Sequence, residues 1–303
     1  MRDRRPLVFP IIFIFMIWMF IQYHRINLQE IGDCQDPLND HCLMGRGIDN
    51  IAFITSYYQP QSNYTQENIY RQAELDVCLA SATGHPLIQT VHILGTEKDL
   101  AALPSFAKAY FDYHTSPRSL PKVVPVKIEG RPMMADFLRY ACDNLKDHRV
   151  MFANADIYFD MTLEYFIRIS DSNFDRRFFA ISRWQLMFNE YLSPNMFIGH
   201  GSYDTFLFRP RVLCGGDQEG EDLDLKERFK ELLENLNYPL GVLGAENRLL
   251  YEIHRLYPNL WIRNPARTVK TLHMHNSTHR GEGWIHLVNE NGKSYHVRDD
   301  DAF

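Results

Sequence analysis

Three oxygen-bearing side chains follow a short apolar run near the middle of this 303-residue chain. Residues 150–153 are apolar and are followed by Asn154, Asp156 and Asp160. Carboxylate and amide oxygens are ligands for hard divalent cations such as Mg²⁺ and Mn²⁺, which commonly bridge carboxylates to substrate phosphates. Asparagine and aspartate also form tight turns at strand ends. The segment therefore predicts either a metal–phosphate site centred on Asp156 or a structural turn.

Two histidines near the C-terminus are spaced for a shared ligand. His273 and His275 alternate on a predicted extended segment, so their side chains point to the same face, which suits metal binding. His279 follows, and a zinc-dependent hydrolase built on these three residues is one hypothesis. The sequence contains no HExxH helix to support that hypothesis. The cluster indicates either metal ligands or structural histidines.

Other charged side chains occur at element boundaries, where catalytic and capping roles look alike. Glu246 follows a glycine-rich turn at a predicted helix start, where the helix dipole favours its ionised form; it is a general base or a capping residue. Asp204, placed just before a predicted strand, has the same two interpretations. Arg131 is suited to bidentate diphosphate binding, whereas Asp136 fits a helix start. Arg71, in the middle of a predicted helix, is interpreted as a surface charge.

The elements that must position these residues alternate between strands and helices. Apolar runs such as NIAFITSYY, IQTVHILG and RVMFANAD are separated by helical patterns such as ENIYRQAELDVCLASATG and RPMMADFLRYACDNL. Strands that are apolar on both faces indicate an α/β domain with a mostly parallel sheet. Ligands of such sheets bind beyond the carboxyl ends of the strands. Residues 55–57, 95–96 and 154–156 are therefore expected at one edge.

The N-terminus predicts a membrane anchor. Residues 7–23 are uncharged and mostly apolar, which is close to the shortest length that spans a bilayer. The arginines in residues 1–6 predict a cytoplasmic tail and a lumenal body. A cleaved signal peptide is the alternative, but no small-residue cleavage site follows the apolar run. We expect a stem over residues 24–49 and a lumenal domain over residues 50–303.

Composition and cysteine usage restrict the partners and the compartment. The net charge of −6 and the pI of about 6.1 argue against nucleic-acid binding through bulk electrostatics. Sequons at Asn63 and Asn276 fit a lumenal body, as does a small disulfide loop between Cys34 and Cys42. Cys78 and the similarly placed cysteine at position 142 lie in apolar helical patterns and are expected to pack as small hydrophobic residues.

The order of several motifs resembles that of a known enzyme family. The segments FITSYY, GRPMMADF, MFANADIYFD, AISRW, GSYDTFLF, GAENRLLYE and LHMHNSTHR occur in this order between about residues 51 and 280. Together they resemble nucleotide-diphospho-sugar glycosyltransferases of the glycosyltransferase A fold. The N-A-D-I-Y-F-D block is the most specific of them. The resemblance implies a Rossmann-like mixed, mostly parallel sheet flanked by helices, preceded here by the predicted transmembrane helix.

The resemblance also implies a role for each matching position. Asp156 falls in the family's metal-binding DXD motif and would hold Mn²⁺ or Mg²⁺ on the donor diphosphate, with His273 or His275 completing the contacts. Glu246 would be the acceptor-side carboxylate and the catalytic base. The residues that would bind the UDP- or GDP-sugar donor are Thr55, Tyr57, Arg131, Asp136, Asn154 and Asp204.

These observations predict a metal-dependent glycosyltransferase of the Golgi or endoplasmic reticulum membrane. It would be a single-pass type II protein that transfers a sugar, with inversion, to a hydroxyl of a glycan, protein or lipid. Two positions depart from the family pattern: Asn154 replaces a carboxylate of the DXD motif, and Ala245-Glu246 replaces Cys-Asp. The first departure motivates an alternative, a non-catalytic glycan-binding protein with the same fold.

Overall fold

The computed structural model describes residues 51–60, 65–111, 122–185, 202–215, 223–242, 244–274 and 295–297. These residues belong to the second of two units in the chain, Asp49–Phe303. The predicted cytoplasmic tail, anchor and stem, both sequons, and the Cys34–Cys42 pair lie outside them. Within the described ranges, no helix combines the length and apolar character that a bilayer span requires.

Strands account for most of the buried apolar runs in the sequence. In chain order they are β1 Ile51–Ser56, β2 Ile88–Gly95, β3 Val123–Lys127, β4 Arg149–Ala153, β5 Ile157–Phe159, β6 Arg177–Ser182, β7 Trp184–Gln185, β8 Tyr203–Phe208, β9 Trp261–Arg263 and β10 Thr271–His273. Every residue of β4 and β8 is buried. A strand covered on both faces needs apolar side chains on both, which explains the continuous rather than alternating pattern.

The larger sheet has the strand order β3-β2-β1-β4-β8-β6-β9. Neighbouring strands run parallel except around β8, which is antiparallel to both β4 and β6. The predicted mixed α/β class with a mostly parallel sheet is therefore confirmed. The carboxyl ends of β1 and β4 lie side by side, because the two strands pair in parallel with Ile54 opposite Phe152.

A smaller sheet returns the later part of the chain to the end of β4. Its strand order is β5-β10-β7, with β10 antiparallel to β5 and parallel to β7. His273 on β10 is opposite Ile157 on β5. Since Ile157 directly follows Asp156, this register brings the two predicted metal ligands together.

Helices cover both faces of the larger sheet. Those described are α1 Gln66–Gly84, α2 Glu97–Ala101, α3 Ser105–Lys108, α4 Met134–Asn144, α5 Glu164–Ile167, α6 Asp171–Phe174, α7 Arg211–Cys214, α8 Leu223–Asn235 and α9 Ala245–Leu256, with a 3₁₀ turn at Met161–Leu163. One apolar core contains side chains of α1, β5 and β6, and the other contains those of α4, α8 and α9. Two such cores are expected when helices pack on both faces of a sheet.

A disulfide joins two of the helices and corrects one prediction. Cys142 on α4 and Cys214 on α7 are bonded, with their Cα atoms 6.2 Å apart. The expectation that Cys142 packs only as a small hydrophobic residue is wrong, whereas Cys78 is buried and free as expected. A separation of 72 residues gives no local signal for the pairing. The bond forms because Pro210 and α7 follow β8 directly and pack against α4.

Removal of this disulfide should destabilise the protein. Because the bond closes a long loop of the unfolded chain, the variant Cys142→Ala/Cys214→Ala is expected to lose about 2–4 kcal/mol of unfolding free energy. Urea denaturation of the full chain with and without reductant measures the loss. Reductant should lower the stability of the wild type and of a Cys78→Ala control, but not that of the double variant. Equal stability of the wild type under both conditions would contradict the bond.

Candidate functional site

The candidate site lies at the carboxyl edge of β1 and β4. Thr55, near the end of β1, is buried and donates a hydrogen bond from Oγ1 to the carbonyl oxygen of Ala153 at 3.2 Å. Residues 154–156 follow β4 at this point and lead into β5. Thr55 and the loop carrying Asp156 are therefore adjacent, as the sequence predicted from the parallel pairing.

The side chain of Asp156 contacts those of Arg71 and His273. Its Oδ2 atom lies 2.8 Å from Nη2 of Arg71 and 3.2 Å from Nε2 of His273. Its backbone carbonyl accepts a hydrogen bond from the N–H of Met274 at 2.9 Å. Burial by itself would raise the pKa of this carboxyl, but His273 and Arg71 outweigh it and hold the pKa well below its usual range. Asp156 is thus an ionised carboxylate at neutral pH.

Arg71 is a buried part of this group and not the surface charge that the sequence suggested. Its side chain is 11% exposed and also contacts Glu74 through Nη1 at 3.0 Å and the hydroxyl of Tyr58 through Nε at 2.9 Å. The helical spacing does indicate that Arg71 is buried. Arg71 lies four residues before Leu75 and seven before Cys78, both of them buried, so it belongs to the apolar face of α1. An arginine on such a face needs a carboxylate partner inside the protein.

A second group of polar side chains adjoins the first through Asn154. The side-chain amide of Asn154 donates to Oδ1 of Asp204 at 3.0 Å, and Nη1 of Arg183 donates to Oδ2 of the same carboxylate at 3.1 Å. Asp204 is buried and is the second residue of β8, whereas the sequence predicted a position just before the strand. Arg183, between β6 and β7, was missed by sequence reasoning because nothing in AISRWQ sets it apart from a surface charge.

Glu246 belongs to this second group. It is the second residue of α9, preceded by Gly244, whose φ of +82° supplies the left-handed turn into the helix. Burial and, to a smaller extent, the charge of Asp204 outweigh a backbone hydrogen bond and Arg183, and together these raise the pKa of Glu246 to about 8. A carboxyl group that exchanges its proton near neutral pH is suited to general acid–base chemistry. The predicted helix-start position is confirmed.

Tyr57 lines a small cavity next to Thr55. The cavity is also bounded by Phe53, Leu75, Cys78 and the loop after β4. The Tyr57 hydroxyl donates to Oδ1 of Asp76 at 2.7 Å and accepts a hydrogen bond from Gln72 on α1. Burial and the Asp76 carboxylate raise the pKa of Tyr57 above its usual value, so it stays a neutral hydroxyl. The cavity has room for only about one water molecule, so it is not itself a pocket for a nucleotide.

The remaining predicted residues have structural partners. Arg131 donates from Nη2 to the carbonyl oxygen of Leu240 at 3.2 Å. Asp136 caps the start of α4 by accepting a hydrogen bond from the backbone of Met133 at 2.9 Å, and it pairs with Arg139. Asp160 similarly caps the 3₁₀ turn that follows it. Leu240 precedes Gly241, where an added Cβ would lie 3.8 Å from Oδ1 of Asn154, so Arg131 is tied to a loop beside the site.

The described side chains that would bind a divalent cation are already engaged with other residues. Mg²⁺ and Mn²⁺ are usually bound by several oxygen ligands, whereas Oδ2 of Asp156 is already shared by Arg71 and His273, and the Asn154 amide is bonded to Asp204. In the part of the chain that the structure describes, no three His, Cys, Asp or Glu side chains are arranged to hold a metal. These residues do not fit the predicted cation while Arg71 pairs with Asp156. His275 lies outside the described ranges, so the ligand set Asp156–His273–His275 stays a prediction.

Among comparisons with known proteins, only those with solved structures give matches, and these concern the fold. No family model and no curated protein matches the sequence. Among solved structures, the chain is similar to residues 1–349 of TarS from S. aureus, with a TM-score of 0.42 and 12% identity over 74% of this chain and 60% of that one. It is also similar to 4-diphosphocytidyl-2C-methyl-D-erythritol synthase from Anaerococcus prevotii, with a TM-score of 0.40 and 7% identity over 71% of this chain and 88% of that one.

Proposed function

We propose that this protein is a glycosyltransferase of the glycosyltransferase A fold that uses a nucleotide-diphosphate sugar. The observation that carries the proposal is Glu246, a buried carboxyl in the first turn of α9, with a pKa of about 8 and with Asp204 and Arg183 as its charged neighbours. Asn154 links the two groups through its bond to Asp204. The order of motifs in the sequence, from FITSYY to LHMHNSTHR, supports the same reaction class.

In the proposed reaction, Glu246 removes the proton of an acceptor hydroxyl. The hydroxyl oxygen then forms a bond to the anomeric carbon of the donor, while the bond from that carbon to the diphosphate oxygen breaks. The nucleoside diphosphate leaves with the electron pair, and direct displacement inverts the anomeric configuration. Arg71 and Arg183 supply positive charge at this edge, and Thr55 and Tyr57 would contact the nucleotide of the donor. The acceptor would be a hydroxyl on a glycan, protein or lipid.

We further propose a lumenal location for this domain, on a type II anchor in the Golgi or endoplasmic reticulum membrane. The Cys142–Cys214 disulfide supports it, because such bonds form and persist in oxidising compartments. The basic residues ahead of the apolar run at 7–23 support the orientation. The two sequons fit the same side of the membrane.

One observation favours a second candidate function. The pairing of Asp156 with Arg71 occupies the carboxylate that a catalytic metal would need. A non-catalytic glycan-binding protein with this fold has no use for a metal and would keep such a pair permanently. Metal dependence thus stays a prediction from the sequence, and the two functions differ in whether nucleotide is ever released from a donor.

Release of nucleotide from UDP- and GDP-sugars should require Asp156. The full chain, expressed in a eukaryotic host and purified in detergent, is incubated with each donor in the presence of Mn²⁺ or EDTA. We expect Asp156→Asn to lower the release rate at least 100-fold, because removal of a charge that organises a site typically costs several kcal/mol. An exposed control, Asp147→Asn, should leave the rate unchanged.

The outcomes of this screen separate the two candidate functions. Release that persists in EDTA would show that the side chains of the protein suffice without a metal, and release only in Mn²⁺ would show that the reaction needs the cation. If no donor is hydrolysed or transferred and no nucleotide binds, the transferase proposal is wrong. Binding of glycans in that case would establish the second candidate.

A further inference from the structure

Residues 295–297, named here the C-terminal strap, are bonded to three elements that carry the second polar group. The hydroxyl of Tyr203, in β8, donates to the carbonyl oxygen of Val297 at 2.9 Å and accepts from the N–H of Val297 at 2.7 Å. Asn264, which follows β9, donates from Nδ2 to the same carbonyl oxygen at 3.5 Å. Val297 is thus fixed to the larger sheet at two places.

The other end of the strap is bonded to the first turn of α9. Asn247 donates from Nδ2 to Nδ1 of His296 at 3.1 Å and to the carbonyl oxygen of Tyr295 at 3.4 Å. Its own carbonyl oxygen accepts from the N–H of Tyr295 at 3.3 Å. The ring of His254, two turns further along α9, stacks on Tyr295 with the ring centroids 4.3 Å apart. Backbone, side-chain and ring contacts therefore hold the strap against this helix.

Two anchors of the strap are sequence neighbours of charged residues in the candidate site. Tyr203 precedes Asp204, and Asn247 follows Glu246. The third anchor, Asn264, contacts the site through Ser182. Its side chain accepts a hydrogen bond from the N–H of Ser182 at 3.0 Å and donates one to the Ser182 hydroxyl at 2.9 Å. Ser182 precedes Arg183, the partner of Asp204. Each anchor thus fixes the backbone of one charged group.

The charges around Glu246 explain why the strap would be needed to hold α9 and β8 together. Glu246 is faced by Asp204 from β8, by Arg183 from the β6–β7 link and by Tyr238 from the segment before α9, and His296 of the strap lies beside its neighbour Asn247. Two carboxyl groups that share a buried site repel each other when both are ionised. α9 and β8 share an apolar core, but a slight separation at the end that carries these carboxyl groups would relieve the repulsion and admit water. The strap bonds to both α9 and β8 and so opposes that separation.

We propose that the C-terminal strap is a positioning element of the catalytic centre, which fixes Glu246 of α9 against Asp204 of β8. The catalytic part of this inference rests on the proposed transferase function. The positional part concerns only the folded protein and can be measured without turnover. Tyr203 is the positioning residue that tests it most cleanly, because its ring is buried in the core and its hydroxyl bonds to both the carbonyl oxygen and the N–H of Val297 in the strap.

The test compares Tyr203→Phe with Tyr257→Phe in the full chain. Tyr257 is a matched control: it is also buried, and its hydroxyl donates to the carbonyl oxygen of Leu213 at 3.0 Å, away from the strap. Both variants lose a buried hydroxyl and should lose comparable stability. We expect Tyr203→Phe to lower kcat at least 10-fold and to shift the midpoint of the pH–activity curve downward by about one unit, because water and greater distance from Asp204 both favour ionised Glu246. Tyr257→Phe should leave kcat and the midpoint unchanged.

Thermal melts between pH 6 and pH 9 provide the readout that does not depend on activity. Ionisation of buried Glu246 should make the wild type less stable as the pH rises, and Tyr203→Phe should reduce that fall at least twofold while Tyr257→Phe keeps it. A fall that is the same in both variants would overturn the inference, whether or not a donor has been found. Absence of turnover in the wild type would instead contradict the transferase proposal, and the melts would still decide the positioning role.

Discussion

Replacement of Glu246 with glutamine is expected to slow transfer by at least 100-fold while making the protein more stable at alkaline pH. A positioned general base contributes about 10²–10⁴-fold to the rate, so kcat/KM should fall by that factor. Because only the deprotonated base accepts a proton, kcat/KM of the wild type should rise with pH and level off above about 8, the pKa of Glu246. The glutamine variant should lack this rise.

The opposite effect on stability follows from the direction of the same pKa shift. The pKa of Glu246 rises from 4.5 in its ordinary state to about 8 in the folded protein, so the folded state binds the proton more tightly. The associated stability is fully present below pH 4.5 and is lost as the pH rises through 8. Glutamine cannot ionise, so the variant should exceed the wild type by about 3–5 kcal/mol of unfolding free energy at pH 9. Stabilisation with loss of function is typical of a strained active-site residue.

Urea denaturation at pH 6 and pH 9, together with donor turnover, measures both effects. Glu234→Gln on the exposed side of α8 is the control and should alter neither activity nor the pH dependence of stability. A Glu246→Gln protein that keeps its activity would exclude Glu246 as the base. If it were also less stable at pH 9, the burial cost assigned to this carboxyl would be contradicted.

Removal of Arg71 should have the largest effect on folding. Arg71→Met leaves the buried carboxylates of Asp156 and Glu74 without their cation. Breaking one side of a buried ion pair costs about 3–5 kcal/mol, because the remaining charge is uncompensated. Arg139→Met is the matched control: it removes a helical arginine that is half exposed and pairs with Asp136, and should cost less than about 1 kcal/mol.

A double-variant cycle tests whether the cost arises from Asp156. If it does, Arg71→Met/Asp156→Asn should be less destabilised than the sum of the single variants, since each single change leaves a charge that the double change removes. Denaturant unfolding at neutral pH gives the four free energies. A loss for Arg71→Met no larger than that for Arg139→Met would mean that Asp156 and Arg71 do not form a buried pair in solution.

The order of strands and helices could be predicted from the sequence because each element carries its own signal. Residues 150–153 of β4 are a continuous apolar run, and α1 ends at Gly84, where the pattern placed its end. The edge at which Thr55 and Asp156 meet followed from a general property of parallel sheets. Elements of this kind are determined by residues close together in the chain, which is why single-sequence reasoning recovers them.

The partners of the site residues could not be predicted, because they come from distant parts of the chain. Asp156 pairs with residues 71 and 273, and Asp204 pairs with residues 154 and 183. Nothing local distinguishes a buried arginine that neutralises a carboxylate from a solvated one. Asp136 illustrates the converse: it was assigned to the donor from its motif, and its contacts are those of a helix cap.

The antiparallel placement of β8 has a consequence for synthesis on the ribosome. Strands β1, β2, β3 and β4 are complete when residue 153 has been made, but the next neighbour of β4 in the sheet begins only at Tyr203. At about 5–20 residues per second, that edge of β4 stays unpaired for roughly 3–10 seconds after it leaves the tunnel. Its residues 150–153 carry no charge to discourage pairing with another chain. The strand that leads to Asp156 is therefore exposed during synthesis to pairing with another chain, which a bound chaperone would prevent.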